Sequence, residues 1–340
     1  MENKVIDYAS NFSSVGCPEG TVEVLERSVS LLLTYPDYTN AILKDLAERF
    51  FGVPQEAVTF GAGVTDILYN LPFVLQEGKV LIPTPTFWQY EEANRRNPNN
   101  SVEFHQLDKA ENFKVDLGKF AEKVGQAKVV YLCNPNNPTS QLYGLNEIQN
   151  LAEQNPEVQF VVDETYLFFL KDYEAQSVLK YAAGSNNVHV VLSFSKFFVV
   201  PGMRIGMLVS SPENIAKYEK FRTPYVMSPL APVVLKHVLG NQNYIDDSRD
   251  VYASQISTVT GLAREILPED DYKIIPPQGP FVMIEHVAGI TAGRITSELG
   301  KQGLRIRDCS EMKGADIGSI RASIKGKQDM RLLFTALRDV

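Results

Sequence analysis

Cysteine is scarce in this sequence, and the few cysteines it has are far apart. Cys17, Cys133 and Cys309 form no Cys-x-x-Cys pair and have no histidines at the spacing of a zinc site. Disulfide frameworks and structural zinc sites both need such clusters. We therefore predict a protein without a bound metal ion, and a reducing cytoplasm is the simplest location to expect.

Long apolar segments and runs of basic residues are also lacking. No stretch of about 18 apolar residues occurs, and the N-terminus has no apolar core of the kind found in a signal peptide. The 41 Asp and Glu residues outnumber the 33 Lys and Arg residues, so the formal net charge is −8. Because no basic cluster offsets this charge, we expect neither a membrane nor a nucleic acid as a partner.

What the sequence does have is length and a regular alternation of patterns. Its 340 residues suffice for about two domains or one large α/β unit. Six short apolar runs lack strict alternation, which is typical of strands buried on both faces. They are residues 57–60, 79–82, 128–133, 159–163, 188–193 and 204–210.

Amphipathic segments lie between these runs and predict helices at residues 37–51, 65–76 and 145–154. Strands that alternate with helices indicate a mainly parallel sheet with right-handed crossovers. The C-terminal third has another pattern, with a helix at residues 244–266, short strands at 272–275, 281–285, 304–308 and 319–324, and a final helix at 327–338. We predict an N-terminal arm at residues 1–35, a large domain at 36–230 and a small α+β domain at 231–340.

A lysine stands just after the predicted strand at residues 188–193, in the sequence SFSK that runs from Ser193 through Ser195 to Lys196. Arg204 follows eight residues later. A lysine that forms an imine must lie in a pocket, beside hydroxyl groups and cations that bind a phosphate. An isolated lysine after a strand more often lies on the surface, so this motif needs support from others.

The predicted strand at residues 159–163 ends in Asp163, and Tyr166 follows three residues later. Folds of the α/β class bind ligands at the carboxyl ends of their strands. A carboxylate there can pair with a protonated pyridine nitrogen, which makes the ring an electron sink, and Tyr166 can donate to a phenolate oxygen. The alternative is that Asp163 caps a helix.

Two Asn-Pro dipeptides follow the predicted strand at residues 128–133, in the sequence NPNNPT at 134–139. They predict a stiff, non-helical turn at the same edge of the sheet. An asparagine amide held in such a turn can donate to a cofactor, although Asn-Pro pairs are also common in turns without a ligand.

Two more loops follow predicted strands. In the glycine loop FGAGVTD at residues 60–66, the glycines let the backbone approach a phosphate, and the start of the following helix supplies free N–H groups. The alternative is a turn without a ligand. Asp66 occupies the third glycine position of a GxGxxG dinucleotide fingerprint, which is therefore incomplete. The loop after residues 79–82 carries Phe87 and Tyr90, either of which can stack on a flat heterocycle or pack in the core.

Arg321 stands among apolar residues in the predicted strand at residues 319–324. The planar guanidinium group suits a carboxylate or a phosphate. An internal salt bridge is the alternative.

In their order and spacing, these motifs resemble the fold-type I enzymes that use pyridoxal phosphate (PLP), specifically the class I/II aminotransferases. The resemblance runs from about Tyr35 to the C-terminus and is closest to the branch of histidinol-phosphate aminotransferases and threonine-phosphate decarboxylases. It is carried by YPD at residues 35–37, the glycine loop, PTFWQY at 85–90, NPNNPT, Asp163 with Tyr166, SFSK with Arg204, and RDC at 307–309 ahead of Arg321.

The resemblance implies the fold and the catalytic residues. The fold is α/β, with a mainly parallel seven-stranded sheet sandwiched by helices and a smaller α+β C-terminal domain. Lys196 forms a Schiff base with PLP and moves the proton. Asp163 pairs with the pyridine nitrogen, while Asn137 and Tyr166 hold the phenolic oxygen.

The resemblance also implies how the rest of the cofactor and the substrate are held. The cofactor phosphate is bound by Ser193, Ser195, Arg204 and the backbone of Val64 and Thr65, and Phe87 or Tyr90 stacks on the ring. Arg321 and Asn11 contact the substrate. Tyr35 reaches the phosphate of the cofactor and the substrate in the neighbouring subunit, so a homodimer with shared active sites is expected.

Two departures from the family pattern concern the substrate. Ser140 stands where the family often has glycine after NPT, and QGPF at residues 278–281 replaces the common Ser-x-Ala-Asn-Phe loop. The asparagine missing from that loop would lie near the substrate, so the substrate is less well defined by the sequence than the cofactor.

We predict an aminotransferase that acts on a small amino acid or amine, with or without a phosphate group. The alternative is a decarboxylase of a phosphorylated amino acid, favoured by RDC at residues 307–309 and by the lack of glycine after Ile324. Two other classes fit less well. A PLP-fold sensor domain usually has a basic DNA-binding segment, and an NAD-dependent dehydrogenase needs a complete glycine fingerprint.

Overall fold

Two β-sheets and a short strand pair organise the chain in the computed structural model, which describes residues 5–340. Residues 1–4 of the predicted N-terminal arm lie outside the described residues. The larger sheet has seven strands. A short strand, β1 (Ile6–Asp7), precedes these strands in the chain and is not part of the sheet. The seven strands are β2 (Val58–Ala62), β3 (Lys79–Thr84), β4 (Ser101–Gln106), β5 (Val129–Cys133), β6 (Gln159–Asp163), β7 (Val188–Ser193) and β8 (Ile205–Val209).

The spatial order of the large sheet is β2-β8-β7-β6-β5-β3-β4. The five strands from β7 to β4 are parallel to their neighbours, whereas β8 runs antiparallel to both β7 and β2. The predicted α/β fold with a mainly parallel sheet is therefore confirmed. The seventh strand, β4, was not located from the sequence.

Both faces of the large sheet are covered, as the apolar runs indicated. In β5, Val130 and Leu132 belong to one hydrophobic cluster, whereas Val129, Tyr131 and Cys133 belong to another. Alternate residues of a strand point to opposite faces. The two clusters are thus the two layers of core between the sheet and its helices.

Helices fill these layers and the small domain. They are α1 (Thr21–Ser28), α2 (Ala41–Phe51), α3 (Gly63–Asn70), α4 (Gln89–Arg95), α5 (Leu117–Val124), α6 (Leu145–Gln154), α7 (Tyr173–Gln176), α8 (Leu179–Ala182), α9 (Pro212–Glu219), α10 (Ala231–Gly240), α11 (Gln242–Ile266), α12 (Ala292–Lys301) and α13 (Lys327–Arg338). Within residues 5–340, none of the helices is long and apolar enough to cross a membrane.

Local sequence explains why two helices differ from their predicted bounds. Helix α2 begins at Ala41 rather than at Asp37, because the Asp37 carboxylate accepts hydrogen bonds from the backbone N–H groups of Thr39 and Ala41. Helix α3 ends at Asn70, and a 3-10 turn that contains Pro72 follows. Proline lacks the N–H group needed to continue the helix.

The small domain contains an antiparallel sheet of order β12-β13-β10-β9 and the parallel pair of β1 with β11. Its strands are β9 (Tyr272–Ile275), β10 (Phe281–His286), β11 (Leu304–Arg305), β12 (Arg307–Asp308) and β13 (Ser319–Ser323). The single strand predicted at residues 304–308 was wrong. It is two short strands, because β11 pairs with β1 whereas β12 pairs with β13.

The division of the chain near residue 230 stays a prediction. In the structure, Val234 and Leu235 of α10 pack in the same hydrophobic cluster as the large sheet. The separate core of the small domain begins along α11, at Val259, and includes Ile320 and Leu333. Helix α11 therefore contributes to both cores.

Candidate active site

The carboxyl ends of the large-sheet strands form one edge of a cavity. Strands β3, β5, β6 and β7 are parallel, so their carboxyl ends meet at the same edge. Strand β8 is antiparallel to β7 and to β2, which brings its first residue and the carboxyl end of β2 to this edge as well. The loops that carry the sequence motifs follow or precede these ends.

Lys196 follows β7 and lies beside the N-terminal segment of the chain. Its Nζ atom is 3.4 Å from the carbonyl oxygen of Ser10 and 4.7 Å from the ring centroid of Phe12. Burial, and then the positive charges of Arg321 and Arg204, lower the pKa of Lys196 from 10.5 to about 8. A partly neutral, nucleophilic amine is therefore available at physiological pH.

Asp163, at the end of β6, is held by two donors. The backbone N–H of Thr165 donates to Oδ1 at 3.0 Å, and the hydroxyl of Tyr90 donates to Oδ2 at 2.8 Å. Burial raises the pKa of Asp163, and these hydrogen bonds oppose that effect. Within the described residues the carboxylate has no salt-bridge partner. A buried carboxylate of this kind favours a cationic ligand.

Arg321, on β13, joins the small domain to the turn that carries Asn137. One Nη atom of Arg321 donates to Oδ1 of Asn137 at 2.5 Å, and the other donates to the carbonyl oxygen of Ala9 at 2.6 Å. Because Oδ1 of Asn137 is occupied as an acceptor, its Nδ2 atom is left as a donor. Asn11 donates to the hydroxyl of Tyr166 at 3.2 Å, and burial raises the pKa of Tyr166 to about 12.

Glycines allow the backbone of β8 to approach the backbone of the glycine loop beside the cavity. A Cβ atom on Gly206 would lie 2.4 Å from the carbonyl carbon of Gly63 and from the amide nitrogen of Val64. A Cβ atom on Gly63, whose φ is +79°, would meet the Arg204 guanidinium. The buried Ser195 hydroxyl has no hydrogen-bond partner in the described part of the chain. The Arg204 guanidinium, the Ser195 hydroxyl and the N-terminus of α3 together suit a phosphate.

The cavity has a volume of about 370 Å³, which lies in the range of small-molecule sites. It brings together all the predicted site residues except Tyr35. They are Asn11, Val64, Thr65, Phe87, Tyr90, Asn137, Asp163, Tyr166, Ser193, Ser195, Lys196, Arg204 and Arg321. Other lining residues that sequence reasoning did not assign to the site include Phe12, Trp88, Thr165, Arg307 and Met312.

Tyr35, Tyr90 and Phe87 differ in how far their side chains are exposed. Tyr35 does not line the cavity of its own chain, and its side chain is 89% exposed. Tyr90 is only 1% exposed and its hydroxyl is bonded to Asp163, whereas Phe87 is half-buried. Phe87 is therefore the better placed of the two aromatic residues to present a ring face to a ligand.

The signal for most of the missed residues was weak. Phe12, Trp88 and Met312 are apolar residues in irregular segments, where no periodicity marks them. Arg307 was noticed only as part of the RDC sequence. Thr165 contributes its backbone N–H, which no side-chain motif can indicate.

Residues 3–336 match the sequence model of the family described as aminotransferase class I and II. The chain belongs to this family. Enzymes of the family use PLP as their cofactor, and PLP is therefore the cofactor of this chain.

Known relatives carry two different activities in their names. A protein of Caldanaerobacter subterraneus subsp. tengcongensis, provisionally named threonine-phosphate decarboxylase, is 29% identical over 97% of this chain and 88% of its own length. Histidinol-phosphate aminotransferase 2 of Archaeoglobus fulgidus is also 29% identical, over 100% of this chain and 94% of its own. The crystal structure of the histidinol-phosphate aminotransferase from Clostridium acetobutylicum superposes with a TM-score of 0.89 at 23% identity, covering 98% of each chain.

The residues present in the cavity fit PLP. Lys196 supplies an amine whose pKa is lowered, and Asp163 is a buried carboxylate without a salt bridge among the described residues. Ser195 has an unused hydroxyl near Arg204, where a phosphate would need donors. In residues 5–340 no group of three or more His, Cys, Asp or Glu side chains could hold a metal ion.

Proposed function

We propose that this chain is a PLP-dependent aminotransferase whose cofactor is held by Lys196 and which acts on a small amino acid or amine. The observation that carries the proposal is the position of the Lys196 amine. It lies in one cavity with the Asp163 carboxylate and with the Arg204 and Arg321 guanidinium groups. These are the groups that an aldehyde, a pyridine nitrogen, a phosphate and a substrate anion require.

Each catalytic residue has its own role in the proposed reaction. When bound, PLP withdraws electrons from the bonds of the substrate Cα atom. Lys196 Nζ takes the Cα proton. Asp163 orients the ring through its nitrogen and stabilises positive charge there. Tyr166 and the Nδ2 atom of Asn137 donate to the phenolic oxygen.

The remaining cofactor contacts come from three sides of the cavity. Ser193, Ser195 and Arg204 bind the phosphate, together with the backbone N–H groups of Val64 and Thr65 at the start of α3. Phe87 stacks on the ring. Together these groups would hold PLP in one orientation, with the Cα proton of the substrate within reach of Lys196.

Arg321 binds the substrate anion, and Asn11 lies beside it. For transamination, Arg321 would hold the α-carboxylate of the substrate, and Lys196 would take the proton from the Cα–H bond. PLP would supply the electron withdrawal that weakens this bond.

Decarboxylation of a phosphorylated amino acid is the second candidate. A second guanidinium, that of Arg307, also lines the cavity, and Arg307 is opposite Arg321 in the strand pair β12 and β13. Two cations suit a substrate with two anionic groups. If Arg307 and Arg321 held a distal phosphate, the α-carboxylate would have no guanidinium partner and would be the group lost as CO₂, with a proton taking its place on Cα.

Two assays separate the candidates. The purified holoenzyme is incubated with phosphothreonine or phosphoserine, and separately with histidinol phosphate plus 2-oxoglutarate. Glutamate formation in the second mixture is expected of the aminotransferase and would exclude the decarboxylase. Release of CO₂ from the first mixture without any keto acid would contradict the aminotransferase.

The role of Lys196 is tested independently of the substrate. After borohydride reduction with PLP, mass spectrometry should find the cofactor on the peptide that contains Lys196. The Lys196→Ala variant should lose this adduct and the associated near-ultraviolet absorbance. An adduct on another lysine, with Lys196 unmodified, would refute the proposed site.

We also propose a cytoplasmic homodimer with shared sites. An N-terminal patch of exposed apolar side chains, each more than half accessible, suits a second copy of the chain. The patch consists of Val29, Leu32, Leu33, Tyr35, Tyr38 and Tyr225. The ring of Tyr225 packs against those of Tyr35 and Tyr38, with centroids 5.7 Å apart in each pair. In the proposed dimer Tyr35 contacts the phosphate and substrate of the partner's site.

A further inference from the structure

Tyr90 has a role in the structure other than stacking on a ligand. It lies in α4, far in sequence from β6, and its hydroxyl donates to Asp163 at 2.8 Å. We propose that Tyr90 is a positioning residue that holds the Asp163 carboxylate against the cofactor ring nitrogen and keeps that nitrogen protonated. The inference rests on the cofactor position proposed above.

The ring of Tyr90 is fixed by two aromatic neighbours. It stacks on Tyr131, with centroids 5.4 Å apart and planes inclined by 28°, and its contact with Phe87 is edge-to-face at 5.6 Å. With 1% exposure, Tyr90 has little freedom to move. The hydroxyl position is therefore determined by packing, so the hydrogen bond to Asp163 is preorganised.

The direction of the hydrogen bond is also fixed. Burial, followed by the charge of Asp163, raises the pKa of Tyr90 well above its ordinary value, so the hydroxyl remains protonated and donates. A donor stabilises the ionised form of a carboxylate. Together with the Thr165 N–H on Oδ1, Tyr90 thus opposes the effect of burial, which by itself would favour a protonated Asp163.

The basicity of Asp163 determines whether the proton that it shares with the ring nitrogen lies on the carboxylate or on the nitrogen. A more basic carboxylate would draw that proton away from the nitrogen, and a neutral ring accepts electrons from the substrate less well. Tyr90 lowers the basicity of Asp163. The protonated ring is therefore favoured as long as the Tyr90 hydroxyl is present.

The test replaces one hydroxyl and reads the protonation of the ring directly. Wild-type enzyme and Tyr90→Phe are reconstituted with PLP labelled with ¹⁵N in the ring, and the nitrogen chemical shift is followed as a function of pH. We expect the nitrogen of Tyr90→Phe to lose its proton at lower pH than in the wild type. Its kcat should fall about 10-fold with little change in KM, as expected for a lost hydrogen bond to a charged group.

Tyr131→Phe is the matched control. Tyr131 is a buried tyrosine stacked on Tyr90, and its hydroxyl has no hydrogen-bond partner among the described residues. Its removal changes the packing by the same one atom, without a contact to Asp163. The nitrogen of this variant should titrate as in the wild type. If both variants shift equally, general loosening of the core explains the effect and the proposal fails.

A second substitution keeps the test decisive if Tyr90→Phe does not bind PLP. With 3-fluorotyrosine at position 90, the hydroxyl is a stronger donor, and the ring nitrogen should keep its proton to higher pH than in the wild type. An unchanged nitrogen titration in either position-90 variant that binds PLP would overturn the role of Tyr90. That outcome would leave the attachment of PLP to Lys196, which is tested by its own adduct, unaffected.

Discussion

The Lys196 amine is surrounded by groups that disfavour its protonated form. Burial has the largest effect, and the guanidinium groups of Arg321 and Arg204 add to it, so the pKa of Lys196 falls to about 8. Only the neutral amine attacks an aldehyde. The rate of PLP attachment to the apoprotein should therefore rise about 10-fold per pH unit below pH 8 and level off above it. Stopped-flow absorbance measures this rate, and a midpoint near 10 would contradict the interpretation.

The contribution of the neighbouring charge to this pKa can be isolated. Replacing Arg321 by Gln removes a positive charge near Lys196, so the amine should be protonated more easily and the midpoint should move to higher pH. Arg331→Gln is a suitable control, because Arg331 is exposed on α13 and pairs with Glu265 instead. Equal shifts in both variants would indicate an effect of net charge alone.

Single residues also mark the limit of prediction from sequence. The positions of Lys196, Asp163 and Asn137 at one cavity could be predicted, because each follows a recognisable strand and belongs to a known motif. The hydrogen bond from Tyr90 to Asp163 could not be predicted in this way, because the two residues are distant in sequence and approach only when β3, β5 and β6 align. The choice between Phe87 and Tyr90 likewise needed their burial.

At the scale of secondary-structure elements, strands that are buried on both faces could be predicted from the sequence, whereas an edge strand could not. The central strands β5, β6 and β7 are covered on both faces and are rich in valine and leucine. Strand β4 lies at the edge of the sheet, four of the six residues of its sequence SVEFHQ are polar, and it is only partly buried, so no apolar run marked it. Edge strands of this composition are difficult to distinguish from loops.

The approach of β8 to the start of α3 gives a prediction about the phosphate end of the cavity. Gly206→Ala would place a methyl group 2.4 Å from the backbone of Gly63 and Val64, so either β8 or the glycine loop must shift. We expect a loss of stability on the order of 1–3 kcal/mol and a marked loss of PLP affinity. Thermal unfolding and a PLP titration measure the two effects.

Gly202→Ala provides the control for this substitution. Gly202 lies in the same connection before β8, and a Cβ atom there would meet nothing within 4 Å. This variant should unfold and bind PLP like the wild type. If Gly206→Ala behaved in the same way, the close packing of β8 against the glycine loop would not be essential to the site.

At the scale of the whole molecule, the N-terminal patch is the surface that we propose as the dimer interface. Within this patch Leu33 is 91% exposed, two residues before Tyr35. Leu33→Glu would place a charge in the proposed dimer interface, where it would lose its hydration. We expect this variant to be a monomer by light scattering. Ile317→Glu, at a side chain 63% exposed in the small domain, should leave the dimer intact.

Shared sites make a stronger prediction than dimerisation alone. If each site combines Lys196 of one subunit with Tyr35 of the other, Lys196→Ala and Tyr35→Ala should each be impaired as homodimers. Refolding the two variants together would form hybrid dimers with one complete site, built from the intact Lys196 of one chain and the intact Tyr35 of the other. Purified hybrids should regain about half of the wild-type activity per dimer. If each site were instead built within one chain, no hybrid would contain an intact site, and activity would not recover.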